Sequence, residues 1–223
     1  MNSAPFETYL SAKSCVFWDW NGTLLNDLDY SLAITNEILG LKSSATLSKH
    51  LYLKHFTIPI KDYYDKIGMF NTGFTFDELT DHYISRYEAG RDKPNLYDGA
   101  LHCLEKLRLK GLSQILFSAA HISELEFQVK HHGLTEVFEI ISGSGDYYGG
   151  SKLDRGRALK SEYGFKNGVL VGDTLHDVEI GKEIGFETVW VSEGHQSIER
   201  AQGHLAVDYI LDRTSLEFYK NTN

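Results

Sequence analysis

The chain has 223 residues, enough for one ordinary α/β domain with ample core and a modest insertion. Its 42% hydrophobic and 24% charged residues are the balance of a soluble globular protein, and no stretch is long and apolar enough to span a membrane. A net charge of −9 disfavours general affinity for nucleic acid, which wants a basic face. Residues Met1 to Ser14 have neither a basic nor an apolar signal region, so no secretory leader is expected. Two cysteines, Cys15 and Cys103, without motif spacing argue against a disulfide framework or a zinc site and fit a reducing cytoplasm. The ten histidines likewise lack metal-site spacing.

The first element is the apolar run Cys15-Val16-Phe17-Trp18, which reads as a buried parallel strand. It runs into Asp19 and then Asn21-Gly22, a turn signal. Asp27 to Leu41 is amphipathic, with Leu28, Leu32 and Leu39 near one face and Gly40 placed to end it. Lys42 to Asn71 is polar and aromatic without strand alternation, and predicts two or more short helices. Thr75 and Glu78 form a capping box for a helix to about Gly90, and Pro94 stops anything that reaches it.

From Leu96 the pattern alternates. A helix carrying Leu101, Leu104 and Leu107 closes at Gly111, and Ser113 to Ser118 reads as a strand. Ser123 and Glu126 suggest a second capping box for a helix ending near Gly133, with a strand over Val137 to Ile141. A glycine-rich loop, Ser142 to Gly150, precedes a helix from Lys152 to Tyr163. A strand at Gly168 to Gly172, a helix at Leu175 to Ile184, a strand at Thr188 to Ser192 and a short last strand at Tyr209 to Leu211 follow. Strands separated by helices of this length imply βαβ units and a parallel sheet. The expected organisation is a split α/β core, residues 1–25 and 96–223, with a helical cap, residues 26–95, inserted after the first strand.

Chemistry-bearing residues fall at strand ends. A carboxylate at the carboxyl end of a parallel strand lies where open α/β sheets bind ligands. Asp19-Trp20-Asn21-Gly22-Thr23-Leu24 resembles the first motif of the haloacid dehalogenase-like hydrolases, Asp-x-Asp-Gly-Thr-Leu/Val, with Asn21 in place of the second Asp. Ser118 matches that superfamily's second motif, Lys152 its third, and Gly172-Asp173-Thr174-Leu175-His176-Asp177 its acidic fourth, Gly-Asp-x-x-x-Asp. Each motif is loose alone; their joint order, from Val16 to about Gly194, carries the resemblance. The cap is similar in position to the helical type of the phosphoglycolate phosphatase-like branch.

The resemblance implies a Rossmann-like parallel sheet core and a Mg²⁺-dependent phosphatase-like hydrolase acting on a small phosphorylated metabolite. A phosphate monoester repels nucleophiles, so catalysis is mostly positioning and charge neutralisation. Asp19 takes the place of the covalent nucleophile, giving an aspartyl-phosphate that water hydrolyses. The implied Mg²⁺ ligands are Asp19, the Asn21 backbone carbonyl and Asp173, with Asp177 direct or through water. Lys152 is the implied fixed positive charge, and Ser118, Ala119, Trp20 and Asn21 would hold phosphoryl oxygens.

In the phosphatases of this superfamily the second Asp is the general acid/base, and an amide cannot exchange that proton at neutral pH. General acid–base catalysis is worth about 10²–10⁴-fold. Three explanations stand side by side: a substrate whose leaving group needs little protonation, a substitute group such as His121, His176 or a cap residue, or a slow or inactive relative that binds a phosphorylated ligand in a regulatory role. Phosphonoacetaldehyde hydrolases also lack the second Asp but need a cap Schiff-base lysine, and the retained acidic fourth motif argues against metal-free dehalogenase chemistry. His121, His176 and His195 are expected as solvated loop histidines. Lys54, His55, Lys61, Tyr63 and Tyr64 of the cap are placed either at substrate or packed among neighbouring helices. Substrate identity and oligomeric state are not legible.

Overall fold

The computed structural model describes residues 4–42, 46–146, 151–214 and 217–221. At its centre is β1 (Cys15–Trp18), whose alternate side chains feed two different cores. Val16 and Trp18 pack with Phe6 and Leu10 of α1 (Ala4–Ser11), with Ala100, Cys103, Leu104 and Leu107 of α6 (Ala100–Leu109), and with Leu125 and Val129 of α7 (Ile122–His131). Cys15 and Phe17 face the other way, toward Leu153 and Leu159 of α8 (Lys152–Tyr163) and Ile180 of α9 (Leu175–Glu183). Burial on both faces is why β1 reads as an unbroken apolar run.

Among the described residues the sheet has seven strands in the order β5-β4-β1-β6-β7-β8-β9. They are β4 (Ser113–His121), β5 (Ile140–Ser144), β6 (Gly168–Gly172), β7 (Glu187–Val191), β8 (Tyr209–Asp212) and β9 (Glu217–Lys220). All neighbours run parallel except β9, which pairs antiparallel with β8 at the edge. After β1 the chain builds outward through β4 to β5, then returns to the opposite side of β1 with β6. The carboxyl end of β1 is therefore a topological switch point, the place where open α/β sheets bind ligands.

A two-stranded antiparallel ribbon, β2 (Leu25–Asn26) with β3 (Asn95–Leu96), brackets a helical insert. The insert contains α2 (Leu28–Gly40), α3 (Lys49–His55), α4 (Ile60–Lys66), a 3-10 turn at Met69–Thr72 and α5 (Phe76–Glu88). It has its own apolar cluster, built on Leu28, Ile34, Ile38, Tyr52, Tyr63, Tyr64, Met69 and Leu79. The expected capping box is present: the Thr75 amide donates to Glu78 Oε2 at 2.7 Å and the Glu78 amide to Thr75 Oγ1 at 3.3 Å.

Several expectations need correction. Ser123 and Glu126 do not cap α7; His121 does, its ring accepting from the Ser123 amide at 3.3 Å. Strand β4 continues past Ser118 to His121, with a register irregularity beyond Phe117. The strand expected over Val137 to Ile141 begins at Ile140, because Leu134 to Val137 closes a turn, the Val137 amide donating to the Leu134 carbonyl at 3.0 Å. Val137 and Phe138 are apolar because they seal the core beneath the sheet. The glycine-rich loop opens as β5, and its residues 147–150 lie outside the described residues. Helix α1 and strand β9 are elements that patterning did not suggest; Phe6 and Leu10, four residues apart, carry the buried face of α1.

Candidate active site

Parallel pairing brings the motif residues to one end of the sheet. Trp18 is in register with Leu116 on one side and Val171 on the other, so Asp19 and Asp173 leave adjacent strands together, beside Ser118 within β4. The Asp19 amide donates to the Val171 carbonyl at 2.9 Å, which holds the carboxylate at the mouth of the β1–β6 crevice. Lys152 opens α8 and reaches back, its Nζ 2.7 Å from Asp19 Oδ1 and 2.6 Å from Asp177 Oδ1. All three are buried. Asp177 is the third residue of α9 and completes a capping box with Thr174, whose hydroxyl donates to Asp177 Oδ2 at 2.5 Å. Both Asp177 oxygens are thus engaged, one by Lys152 and one by Thr174.

Asp173 is fully buried. Its Oδ1 accepts from Thr23 Oγ1 at 2.8 Å and its Oδ2 from the His195 amide at 2.6 Å. Gly22 has a left-handed φ of 71°, and a Cβ there would overlap the Asp173 carboxylate and the His195 ring. Both the turn and the close approach require glycine.

Burial drives the Asp19 carboxyl up to about 8; Lys152 pulls against that, and the charges of Asp177 and Asp173 add to the rise. Burial also raises Asp173, with Asp177 adding to it and His195 opposing it. Burial works to lower Lys152, but Asp177 and Asp19 outweigh it and hold the ammonium charged. Asp19, Asp173 and Asp177 each offer an oxygen within 4.8 Å of the others. Once ionised, the three buried carboxylates outnumber the single ammonium, and a hard divalent cation with oxygen ligands would offset the excess. The donor set fits such an ion.

The phosphate-binding candidates divide. Ser118 is buried, with Oγ accepting from the Ala120 amide at 3.1 Å, while Ala119 is half-buried beside it. Arg155 on α8, which sequence patterning did not single out, donates to the Ser118 carbonyl at 2.6 Å and fixes that strand end. The Trp20 side chain is committed elsewhere, its indole N–H donating to Gln128 Oε1 at 2.6 Å, so what it offers the site is its backbone. The Asn21 side chain donates from Nδ2 to Asp27 Oδ2 and to the Tyr87 hydroxyl, each at 2.8 Å.

The histidines are not as expected. His195 is 4% exposed and packed between insert and sheet, with Nε2 3.1 Å from Asp27 Oδ1 and Nδ1 2.8 Å from the Tyr52 hydroxyl. Its ring stacks on Phe56 at 4.9 Å between centroids. Burial works to lower its pKa, but Asp27, with Asp173 and Asp19, outweighs this and raises it to about 9. His176 lies half-buried in the first turn of α9, and burial lowers its pKa. Within the insert, Tyr63 and Tyr64 are buried in the insert's own cluster, while Lys54 and Lys61 are exposed and His55 is half-buried.

Arg213, just past β8, is another participant without a sequence signal. Its Nη1 donates to the carbonyls of Gly22 at 3.0 Å and Ser192 at 2.7 Å, its Nη2 to that of Thr23, and its guanidinium lies 3.7 Å over the Tyr97 ring. It braces the turn that follows Asp19 from behind.

Residues 16–191 match the family model described as haloacid dehalogenase-like hydrolase. No curated protein sequence matches the chain. Among solved structures, a predicted phosphatase from Clostridium acetobutylicum superposes with a TM-score of 0.73 at 20% identity, over 91% of this chain and 95% of that one. A predicted phosphoglycolate phosphatase from Haemophilus somnus 129PT gives 0.69 at 17% identity, over 82% and 87%. A haloacid dehalogenase-like family protein from Streptococcus pneumoniae gives 0.70 at 18%, over 90% and 94%. Identities this low speak for the fold, which is the α/β sheet with helical insert described above. With its match over most of the chain, the protein belongs to the haloacid dehalogenase-like hydrolases.

Proposed function

We propose that the protein is a Mg²⁺-dependent phosphatase acting on a small phosphorylated metabolite through an aspartyl-phosphate on Asp19. The observation that carries this reading is the buried Lys152 held between Asp19 and Asp177, at 2.7 Å and 2.6 Å. A binding site for phosphate needs cations and amides; it does not need a carboxylate buried beside them, which repels the ligand and costs free energy to desolvate. That arrangement makes sense where the carboxylate attacks phosphorus. Mg²⁺, held by Asp19, the Asn21 carbonyl and Asp173, would neutralise phosphoryl charge and let the carboxylate approach. Asp19 supplies the nucleophile, Lys152 aligns it and favours its ionised form, and Ser118 and the amides near Ala119, Trp20 and Asn21 receive the phosphoryl oxygens. Asp177 holds Lys152.

On this reading the chain works as a core, residues 1–25 and 96–223, under a cap of residues 26–95 that covers the site and reads the non-phosphate part of the substrate. The predicted phosphoglycolate phosphatase among the similar structures is in keeping with a small anionic substrate class. A cytoplasmic setting suits the two free, buried cysteines. Asn21 favours a second reading, a weakly active or inactive phosphometabolite-binding protein on the same scaffold.

The test is Mg²⁺-dependent phosphate release from alkyl, acyl and aryl phosphates, with Asp19→Asn alongside. Turnover that Asp19→Asn reduces at least about 10³-fold supports the nucleophile. Saturable phosphate-ester binding by a wild type that releases none over hours hands the lead to the binding reading.

A further inference from the structure

We propose that Asp27 is a positioning residue that fixes position 21 as an amide, and that it excludes from that position the carboxylate a leaving-group acid would require. This rests on the phosphatase reading above and says why the first motif carries Asn21.

Asp27 is 1% exposed and stands at the start of α2, yet its side chain makes no cap bond to that helix. Asp is at home there as a cap, accepting from the first free amides of the helix. Here the carboxylate turns instead to the loop after β1. Its Oδ1 accepts from the Gly22 amide at 2.9 Å and faces His195 Nε2 at 3.1 Å. Its Oδ2 accepts from Asn21 Nδ2 at 2.8 Å, the Tyr87 hydroxyl at 3.0 Å and the Ser31 hydroxyl at 3.4 Å. Every neighbour in hydrogen-bond reach is a donor, as a buried carboxylate requires.

Position 21 is therefore constrained by chemistry as well as by shape. Asn21 places one Nδ2 hydrogen on Asp27 and the other on Tyr87, and Tyr87 passes its own proton to Asp27. An Asp at position 21 keeps the outline of Asn but has no hydrogen to give. It would set a second acceptor 2.8 Å from the Asp27 carboxylate, in a part-buried setting. Two like groups at that distance repel, and the bonds to buried Asp27 and half-buried Tyr87 are both lost. Restoring the superfamily's Asp at position 21 alone should thus disturb the loop before it can assist catalysis. Exchanging the two side chains, Asn21→Asp with Asp27→Asn, restores one donor and one acceptor across the same gap. The amide placed at position 27 would offer its oxygen to the Gly22 N–H and its nitrogen to the new carboxylate.

The experiment compares wild type, Asn21→Asp, Asp27→Asn and the exchanged double variant in two readouts. The first is the unfolding temperature without metal. Asn21→Asp should lower Tm by about 5 °C or more, and the exchange should recover at least half of that loss. The second is kcat on an alkyl phosphate relative to an aryl phosphate. That ratio should stay flat in Asn21→Asp and rise at least about tenfold in the exchanged variant, since only the alkyl leaving group needs a proton. A purely structural Asp27 would move Tm and leave the ratio alone. Additive Tm effects overturn the proposal, as does a ratio that rises in Asn21→Asp alone or stays flat in an active exchanged variant. If no variant and no wild type releases phosphate, the phosphatase reading fails, and the Tm cycle still decides whether Asp27 dictates the amide.

Discussion

His195 is the residue whose surroundings change its character most. In the sequence it follows Gly194 in a polar segment; in the fold it is wedged against Asp27, Tyr52 and Phe56. Its folded pKa is raised from 6.5 to about 9, so the native state holds its proton more tightly than the unfolded chain. The stability this confers is fully present below about pH 6.5 and is lost as pH climbs through about 9. A rise of this size corresponds to on the order of 3 kcal/mol. Urea unfolding of the metal-free protein should show that loss between about pH 6 and pH 9.5, and His195→Gln should make the slope shallower. Equal slopes in the two proteins would remove the His195–Asp27 pair from the account. The raised pKa of Asp19 has the same sign for the stability of the metal-free chain, and it also means that the site binds a cation more tightly as pH rises, since the metal and the proton compete for the same oxygen.

Among elements, the short helix α3 shows how the insert is seated on the sheet domain. Its last carbonyls lack partners within the helix, and the loop after β7 supplies them. Gln196 Nε2 and Arg200 Nη1 each donate to the Phe56 carbonyl at 3.0 Å, and Arg200 Nη2 donates to that of Lys54. Positive charge at a helix C-terminus is also favoured by the helix dipole. The same loop carries His195, so the clamp on α3 and the contact to Asp27 move as one piece. Arg200→Ala should speed hydrogen exchange at the C-terminal amides of α3 by roughly two- to tenfold, the effect of losing about 0.5–1.5 kcal/mol of local stability. Exchange in β1 and β6 should not change. A uniform increase across the sheet would mean that Arg200 supports the whole fold rather than this seat.

For the molecule as a whole, the site is a meeting of three separately built parts: the strand ends of the sheet, the first turns of α8 and α9, and the floor of the insert. The strand ends and the start of α9 bury the carboxylates of Asp19, Asp173 and Asp177 together. A divalent cation bound only by the folded state should therefore stabilise the entire chain. At a Mg²⁺ concentration about 100 times its Kd the gain is ~2.7 kcal/mol, or roughly 5–10 °C in Tm for a chain of this size. Thermal melts in Mg²⁺ and in EDTA should differ by that amount, and Asp173→Asn should erase the difference. A wild-type Tm indifferent to Mg²⁺ at millimolar concentrations would argue against a cation site at these carboxylates.

Features with local causes were legible in the amino-acid order. The apolar run of β1, the capping box at Thr75 and Glu78, and the alternation of strands and helices after Leu96 are all written in near neighbours. Hydrophobic period and turn chemistry act over a few residues, so they can be read without coordinates. What depends on residues far apart emerged only with the folded chain. Val137 and Phe138 carry an apolar signal that a strand and a core-sealing turn share, and only packing against α6 and α7 separates the two. His121 became a helix cap and Asp27 did not, because the bonds each makes were settled by neighbours the sequence does not place. Arg213 and His195 reached the site from 190 and 168 residues beyond their partners Thr23 and Asp27. Electrostatics and hydrogen bonding act through space, and no spacing along the chain records them.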